Sequence, residues 1–564
     1  MRLSRHPFAL AIACTLIAGC DETTTQITTY ESFEIRASLV GRYASGVFDA
    51  GAAEILSFHP ASRRAFVVNA AAGTVDVLDI ANLATPTLAD TLDVGADVAT
   101  NQGIATTALG AANSVAVNGD LVAVAIEADP KQDSGYVAFY NAATLAFIDA
   151  VSVGALPDMV TFTPDGSRVL VANEGEPSQD YSLDPEGSVS LIDVSAGATN
   201  PSVTTLDFTA FNAGNARHAE LPAAVRIYGP GASVAQDLEP EYITVSSDGG
   251  TAWVTLQEAN AIARIDIANA SIEGIAALGF KDHMIPGFGF DATDRDIDDD
   301  APFGGSGDDS AIRILNWPVF GIYSPDSIAS YDQGGRTWLV MANEGDTRVY
   351  PDDSGEAIDE EARISSLVLD PILDQFTDAA GNNLRDAIGR LTVTNTLGDT
   401  DGDGDFDALY VPGGRSFSIR DTDGNLVWDS GDDFEVITAQ RIPMYFNADN
   451  DDNDFDNRSD NKGPEPEALT LGEIEGRTFA FIGLERVGGI MIYDITNPES
   501  PRFMQYVIDR DFTADVDTPA AGDLGPEGMQ FIAAANSPNG KPLLLVGNEV
   551  SGTTAIYEIA VITP

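Results

Sequence analysis

The sequence predicts an all-β protein, a seven-bladed β-propeller with long insertions between its blades. Three observations carry that prediction. The stretch from Lys462 to Asp494 reads KGPEPEALTL, a polar turn, RTFAFIGLER and then GGIMIYD. These are short segments of alternating or continuous apolar residues, as in half-buried and buried strands. Six other segments share its grammar, opening at GAAEILSF, AANSVAV, LPDMVTF, LEPEYITV, SPDSIASY and GPEGMQFI. Each opening carries a polar residue (Glu54, Asn113, Asp158, Glu241, Asp326, Glu467 or Glu527), and the strand after it ends in another (Asn69, Glu127, Glu174, Glu258, Glu344, Glu485 or Glu549). Repeats of a few short strands mean a propeller because no single blade can bury its own faces.

Taken in order, residues 1–19 carry Arg2 and Arg5 and then an apolar run from Phe8 to Ala18, too short to span a bilayer as a stable helix. The run ends Leu16-Ile17-Ala18-Gly19-Cys20, which resembles a bacterial lipobox. On that reading Cys20 is lipidated and becomes the mature N-terminus; the alternative is an ordinary secretory signal. Residues 20–32 are Thr-rich and read as a flexible tether, and the propeller occupies residues 33–564. Phe33 to Tyr43 alternates like a strand and is expected to complete the last blade, closing the ring and removing its free edges. Blades one to three run to about Val194. Insertions are expected at about 195–236, partly helical, at 279–316 and at 347–461. The last separates blades five and six, with a helix near Ile358 to Leu367, a strand LTVTNTL and an extra hairpin SFSIRDTDGNLVWD. Loops of this length usually carry function. In the sixth repeat, strict alternation places Glu467 and Glu485 on one pleat face with Leu469, Leu471, Phe479 and Phe481.

Charge narrows the partners. Acidic residues outnumber basic ones 88 to 29, a net charge of −59. Nucleic acid is excluded, because phosphate backbones need a basic face. Such acidity is either a solvating surface or a set of repeated cation sites. The two cysteines, Cys14 and Cys20, leave one thiol after signal removal, and lipid would block it, so thiol and redox chemistry are not expected. The lipid on Cys20 would make the membrane a partner. With four histidines in all, a histidine-rich zinc site is not expected either, nor is a haem, flavin or nicotinamide cofactor.

In a propeller the start of each first strand and the end of each second strand share one mouth. Asp158, Glu174, Glu241, Glu258, Asp326, Glu344, Glu527 and Glu549 are therefore candidate metal ligands, together with Glu54, Glu467 and Glu485; Glu239 and Glu465 sit two residues upstream of openings. So many carboxylates repel one another unless protonated or bridged by cations. Oxygen ligands without imidazole or thiolate suit Ca2+, with Mg2+ the alternative. The competing reading is that these acids cap blade turns. A second calcium candidate is the run Asp399, Asp401, Asp403, Asp405 and Asp407. Counted from Asp399, acids fall at positions 1, 3, 5 and 9 of a loop with Gly404 at position 6, as in calcium loops, although Tyr410 stands where an EF-hand has its glutamate.

Several stretches together resemble the choice-of-anchor I family of bacterial surface proteins: FDAGAAEI, AAAGTVDVLDI, GALPDMVTFTPDG, VLVANEGEPS, VAQDLEPEYI, GGRSFSI, NKGPEPEA and LGPEGM. The resemblance runs from about Ser32 to Ile559. It implies a YVTN/WD-like propeller shared with mesenchyme-specific cell-surface glycoproteins and an exported, cell-envelope protein. Because some members are described as alkaline phosphatases, it also implies metal-dependent phosphoester hydrolysis. For that chemistry Glu467 and Glu485 would be the catalytic carboxylates, and Lys462, Arg486 and Arg415, with Lys281 nearby, the cations that hold a phosphate. Salt-bridging to those same acids is the alternative role of Lys462 and Arg486. Two other classes stay open: a non-catalytic adhesion, matrix or mineral-binding surface protein, and a polysaccharide-binding propeller.

Overall fold

The computed structural model describes residues 33–295, 311–350, 358–379 and 381–562. The expected signal, lipobox cysteine and tether, residues 1–32, lie outside the described residues. Seven four-stranded antiparallel sheets make up the body of the chain. Blade one contains Leu56–His59, Arg64–Asn69, Thr74–Asp79 and Thr87–Leu92, and blade two Leu109–Asn118, Leu121–Ala128, Ser134–Asn141 and Phe147–Ala155. Blade three runs through Pro157–Phe162, Arg168–Asn173, Ser188–Asp193 and Ser202–Asp207, and blade four through Pro240–Val245, Thr251–Leu256, Ala261–Asp266 and Ser271–Ala277. Blade five is Ile328–Gln333, Arg336–Asn343, Ser416–Arg420 and Leu426–Asp429, and blade six Pro466–Ile474, Arg477–Leu484, Ile490–Asp494 and Arg502–Val507. In blade seven Pro526–Ile532, Leu543–Asn548 and Thr553–Ile562 are joined by the N-terminal strand Glu34–Ala44, which pairs antiparallel with Thr553–Ile562. The first strands touch in sequence all the way round, blade seven against blade one, so the ring is closed.

Apolar faces meet between blades rather than within them, which is why alternating strands are enough to build the core. Leu469, Ala480 and Ile482 of blade six pack on Val340 and Phe417 of blade five. Phe479 and Phe481 face the other way, with Ala468, onto Met529, Leu544 and Val546 of blade seven. This corrects the pleat assignment made from alternation alone. A two-residue turn, Glu475-Gly476 with both φ angles positive, pairs Ile474 with Arg477, so odd positions of one strand lie opposite even positions of the next. Leu469 consequently shares a face with Ile482, and Phe479 and Phe481 belong to the opposite one.

Three further expectations are revised. Residues 202–207 are the outer strand of blade three, so that blade continues past Val194. Ser416–Arg420 pairs with Arg336–Asn343, so the hairpin there is the outer half of blade five rather than an extra element; one insertion splits blade five and another, 430–465, precedes blade six. The segment expected as a helix is instead two short strands, Ile358–Asp359 and Glu361–Arg363, and a 3-10 turn, Ile364–Ser366; Glu361–Arg363 pairs with Thr392–Thr394. The insertions carry a small core of their own around Phe290, Trp317, Ile364, Leu384, Leu391 and Val411. That core packs the insertion before blade five against the one that splits it.

Candidate functional site: an acidic propeller mouth

Five of the blade openings carry a Pro-acid pair, and in four of them the ladder slips immediately afterwards. Register shifts fall between Pro157 and Met159, Pro240 and Ile243, Pro466 and Leu469, and Pro526 and Met529. Proline removes a ladder donor, and the bulge that follows re-aims the next side chain. Asp158, Glu241, Glu467 and Glu527 are the side chains so placed, and all four line the central mouth. They meet there Glu174, Glu258, Glu344, Glu485 and Glu549 from second-strand ends, and Asp326 from blade five, around a cavity of about 670 Å³. An adjoining recess of about 390 Å³ adds Glu54, Asn113 and Glu127. Every mouth acid predicted from the repeats is thus brought to one place.

The mouth has two unlike sides. On one, cations from the segment before blade six and from blade six itself neutralise the acids. Lys462 Nζ lies 2.6 Å from Glu344 Oε1 and 2.9 Å from Glu465 Oε2, and Arg486 lies 3.1 Å from Glu465 and 3.0 Å from Glu485. Arg458 also pairs with Glu465. Burial pushes the Glu465 carboxyl up, but Lys462, Arg458 and Arg486 outweigh it and hold the group well below the usual carboxylate range. The one arrangement in which Glu344, Glu465 and Glu485 could share an ion already has an ammonium in it.

On the other side, oxygens of Glu174, Glu239 and Glu258 lie within 4.8 Å of one another. Glu239 is shared with Arg348, 2.8 Å away, itself buried and also paired with Asp237. Glu258 and Glu241 are 5% and 8% exposed, and an Oε2 oxygen of each has no hydrogen-bond partner among the described residues; the same is true of Glu467 Oε2. A buried carboxylate oxygen without a donor costs about 1–3 kcal/mol or more, so these positions are built for something that brings positive charge or a proton. Burial first, and neighbouring acids second, raise these groups. The Glu241 carboxyl is pushed well up by burial and by Glu258 and Glu174. Asp326 and Glu54 are each raised to about 8, by burial and then by Glu344 and Glu549 respectively. Asp158 rises to about 6 by burial and Glu127. Oxygen-only donors without imidazole or thiolate fit a hard divalent cation.

Not all predicted residues join this site. Arg415 is 3% exposed and is not among the residues lining the mouth. Its guanidinium pairs with Glu435 at 2.6 Å, donates to the carbonyls of Asp291, Ser459 and Asn461, and stacks over Phe290, so it staples the insertions together. Lys281 is likewise buried against Asp429 and the Gly414 and Gly431 carbonyls. The loop Asp399–Asp407 is a separate, exposed turn. Asp399 accepts from the backbone of Gly402 and Gly404, Asp401 from Asp403, Asp403 from Asp405, and Asp407 from Thr400. Its acids cluster as Asp399, Asp401 and Asp407, and as Asp405 and Asp407 with Asp370. The repeat pattern missed Glu176, Asp346 and Arg348, which also shape the mouth. A signal existed: GEP and GDTR follow Glu174 and Glu344 directly, and Arg348 is a rare base in an acidic run.

The model of the choice-of-anchor I domain family matches residues 54–498. Gigasin-3a of Magallana gigas is 30% identical over 184 residues, 30% of this chain and 64% of that protein. The mesenchyme-specific cell surface glycoprotein of Strongylocentrotus purpuratus is 27% identical over 328 residues, 52% of this chain and 40% of that protein. The chain therefore spans less than two thirds of either relative. Among solved structures, Kuenenia stuttgartiensis hydrazine synthase aligns at 12% identity and TM-score 0.42 over 93% of this chain and 99% of that one. The WD40 domain of Toxoplasma gondii coronin aligns at 9% and 0.42 over 94% and 87%. With the family match covering most of a closed ring of four-stranded sheets, the chain belongs to the choice-of-anchor I domain family.

Proposed function

We propose that this chain is an extracellular or surface propeller whose mouth binds a hard divalent cation, Ca2+ with Mg2+ as the alternative. Glu174, Glu239 and Glu258 would hold it, with Glu241 alongside. The observation that carries this reading is the pair of buried, partnerless oxygens on Glu241 and Glu258 beside a carboxylate triad. A bound cation replaces the protons that the raised affinities of these groups otherwise retain, so uptake releases protons. Calorimetric titration of Ca2+ into EDTA-treated, dialysed protein tests it. Saturable binding that is lost in Glu258→Gln supports the reading, and no heat in the wild type ends it. The Asp399–Asp407 loop is the weaker claimant, because backbone amides already occupy its carboxylates.

A second reading, metal-dependent phosphoester hydrolysis, is favoured by one arrangement. Lys462 and Arg486 border the same cavity as the unpaired acids. A bound cation would supply Lewis-acid charge for a phosphoryl oxygen. Lys462 and Arg486 would have to exchange a glutamate partner for the substrate, which makes cation binding the better-supported function and turnover the further one. Release of p-nitrophenol from its phosphate ester in Ca2+, abolished by EDTA, decides between them. Export and lipidation at Cys20 complete the proposal. They are supported by the lipobox-like LIAGC and by the surface glycoprotein among the relatives, and are tested by lipid labelling of wild type against Cys20→Ser.

A further inference from the structure

The end of blades five and six remote from the acidic mouth carries the opposite chemistry. Arg336 opens the second strand of blade five after a Gly334-Gly335 turn, and Arg477 opens the second strand of blade six after Glu475-Gly476. Arg502 opens the outer strand of blade six, opposite Asp494. The mouth acids Glu344 and Glu485 follow the other ends of the two second strands. The three guanidiniums border one concavity of about 780 Å³, also lined by Trp338, Asn497 and Ser500. In a chain with 29 bases among 564 residues, three arginines in one hollow stand out against the surrounding field.

Two acids share the hollow. Asp494 is buried and committed, 2.8 Å from Arg477 and accepting from the Thr496 amide; Glu499 is exposed at the rim. The Arg336 side chain has neither an ion pair nor a hydrogen bond among the described residues, and Arg502 lies 4.0 Å from Asp494 while donating to the Phe33 carbonyl. An arginine fork that is not neutralised matches tetrahedral oxyanions, and Arg does this better than Lys because its donors are preset in a plane. The geometry points to a binding pocket for a phosphate or sulfate group, formed by Arg336 and Arg502 with Arg477 at its back, on the face opposite the mouth. Phe33, the first described residue, sits at this rim under Arg477, 4.9 Å from the ring centroid. On the lipidation of Cys20 proposed above, 12 residues separate the lipid from Phe33, so the group can belong to a lipid headgroup as well as to a free ion, and the two sources share one chemistry.

The full-length protein tests this in EDTA, where the mouth holds no metal. Inorganic phosphate and sulfate are titrated calorimetrically at low salt, and sedimentation with phosphatidylcholine vesicles is compared with sedimentation at one part phosphatidylglycerol to three. Arg336→Gln with Arg502→Gln, both exposed, should leave the melting temperature unchanged and weaken the interaction roughly tenfold or more. Salt should weaken it as well. Binding of the free ions without a preference for phosphatidylglycerol identifies a soluble source. A preference for phosphatidylglycerol that the double variant loses identifies the headgroup. No binding in either arm, or binding unchanged in the double variant, overturns the proposal. None of these outcomes depends on whether the mouth takes calcium.

Discussion

Removing metal and raising the pH should destabilise this protein, and the mouth gives both the sign and the size. The Asp326 and Glu54 carboxyls are raised to about 8 by burial and like charge. A raised carboxyl favours the folded state while protonated. That contribution is complete below pH ~4, where the unfolded chain is protonated too, and it is lost as pH rises through 8. A rise from 3.8 to about 8 for Asp326 corresponds to ~6 kcal/mol at 1.36 kcal/mol per unit. Asp326 and the other ring acids feel the same repulsion, so their costs overlap rather than add, and on the order of 6 kcal/mol is the expectation for the mouth as a whole. Glu465 acts oppositely, but its loss lies at pH below the ordinary carboxylate range, outside this window. With roughly 1.1 kcal/mol/K of unfolding entropy for a chain this long, the roughly 4 kcal/mol that falls between pH 5 and pH 8.5 should lower the melting temperature in EDTA by about 4 °C. Saturating Ca2+ should flatten that slope, since the ion takes over the protons' role. A melting temperature in EDTA that is level or rises over this range would refute the electrostatic reasoning.

Other perturbations separate the parts of the account. Lys462→Met leaves Glu344 and Glu465 short of a buried partner and should cost about 3–5 kcal/mol in urea unfolding, with partial recovery in Ca2+. Arg415→Met strands the buried Glu435 and should cost a similar ~3 kcal/mol, while any phosphoester turnover, measured below the unfolding temperature, stays within about twofold. Glu467→Gln should abolish that turnover if the mouth is catalytic; unchanged turnover would place the chemistry elsewhere. Truncation after Ala44 removes the strand paired with Thr553–Ile562 and the buried Ile35, and should lower stability by at least ~2 kcal/mol in a melting experiment.

Much of this was legible in the repeats. An acid at six of seven openings and a polar residue at every second-strand end place carboxylates at one mouth once strands alternate, because a strand's two ends are fixed by its length. Ring closure was legible for the same reason: a last blade lacking a strand and a first strand lacking a blade complete each other. Pleat parity was not, because a two-residue turn at Glu475-Gly476 offsets the pairing by an odd number that alternation within either strand does not contain. Arg415 looked like a phosphate ligand because it stands in the family stretch GGRSFSI. Its burial depends on Glu435 and the Asn461 carbonyl, 20 and 46 residues away, which local reading does not connect. The split of blade five was hidden in the same way, since the strand Arg336–Asn343 finds its partner only after an insertion with its own core.

Diffraction from crystals grown in EDTA and then soaked in Ca2+ tests the central claim most directly. The account predicts a peak within about 2.3–2.6 Å of oxygens from Glu174, Glu239 and Glu258, absent from the EDTA crystals and from Glu258→Gln. A mouth without such a peak at millimolar Ca2+, with Glu241 and Glu258 still lacking partners, would contradict it.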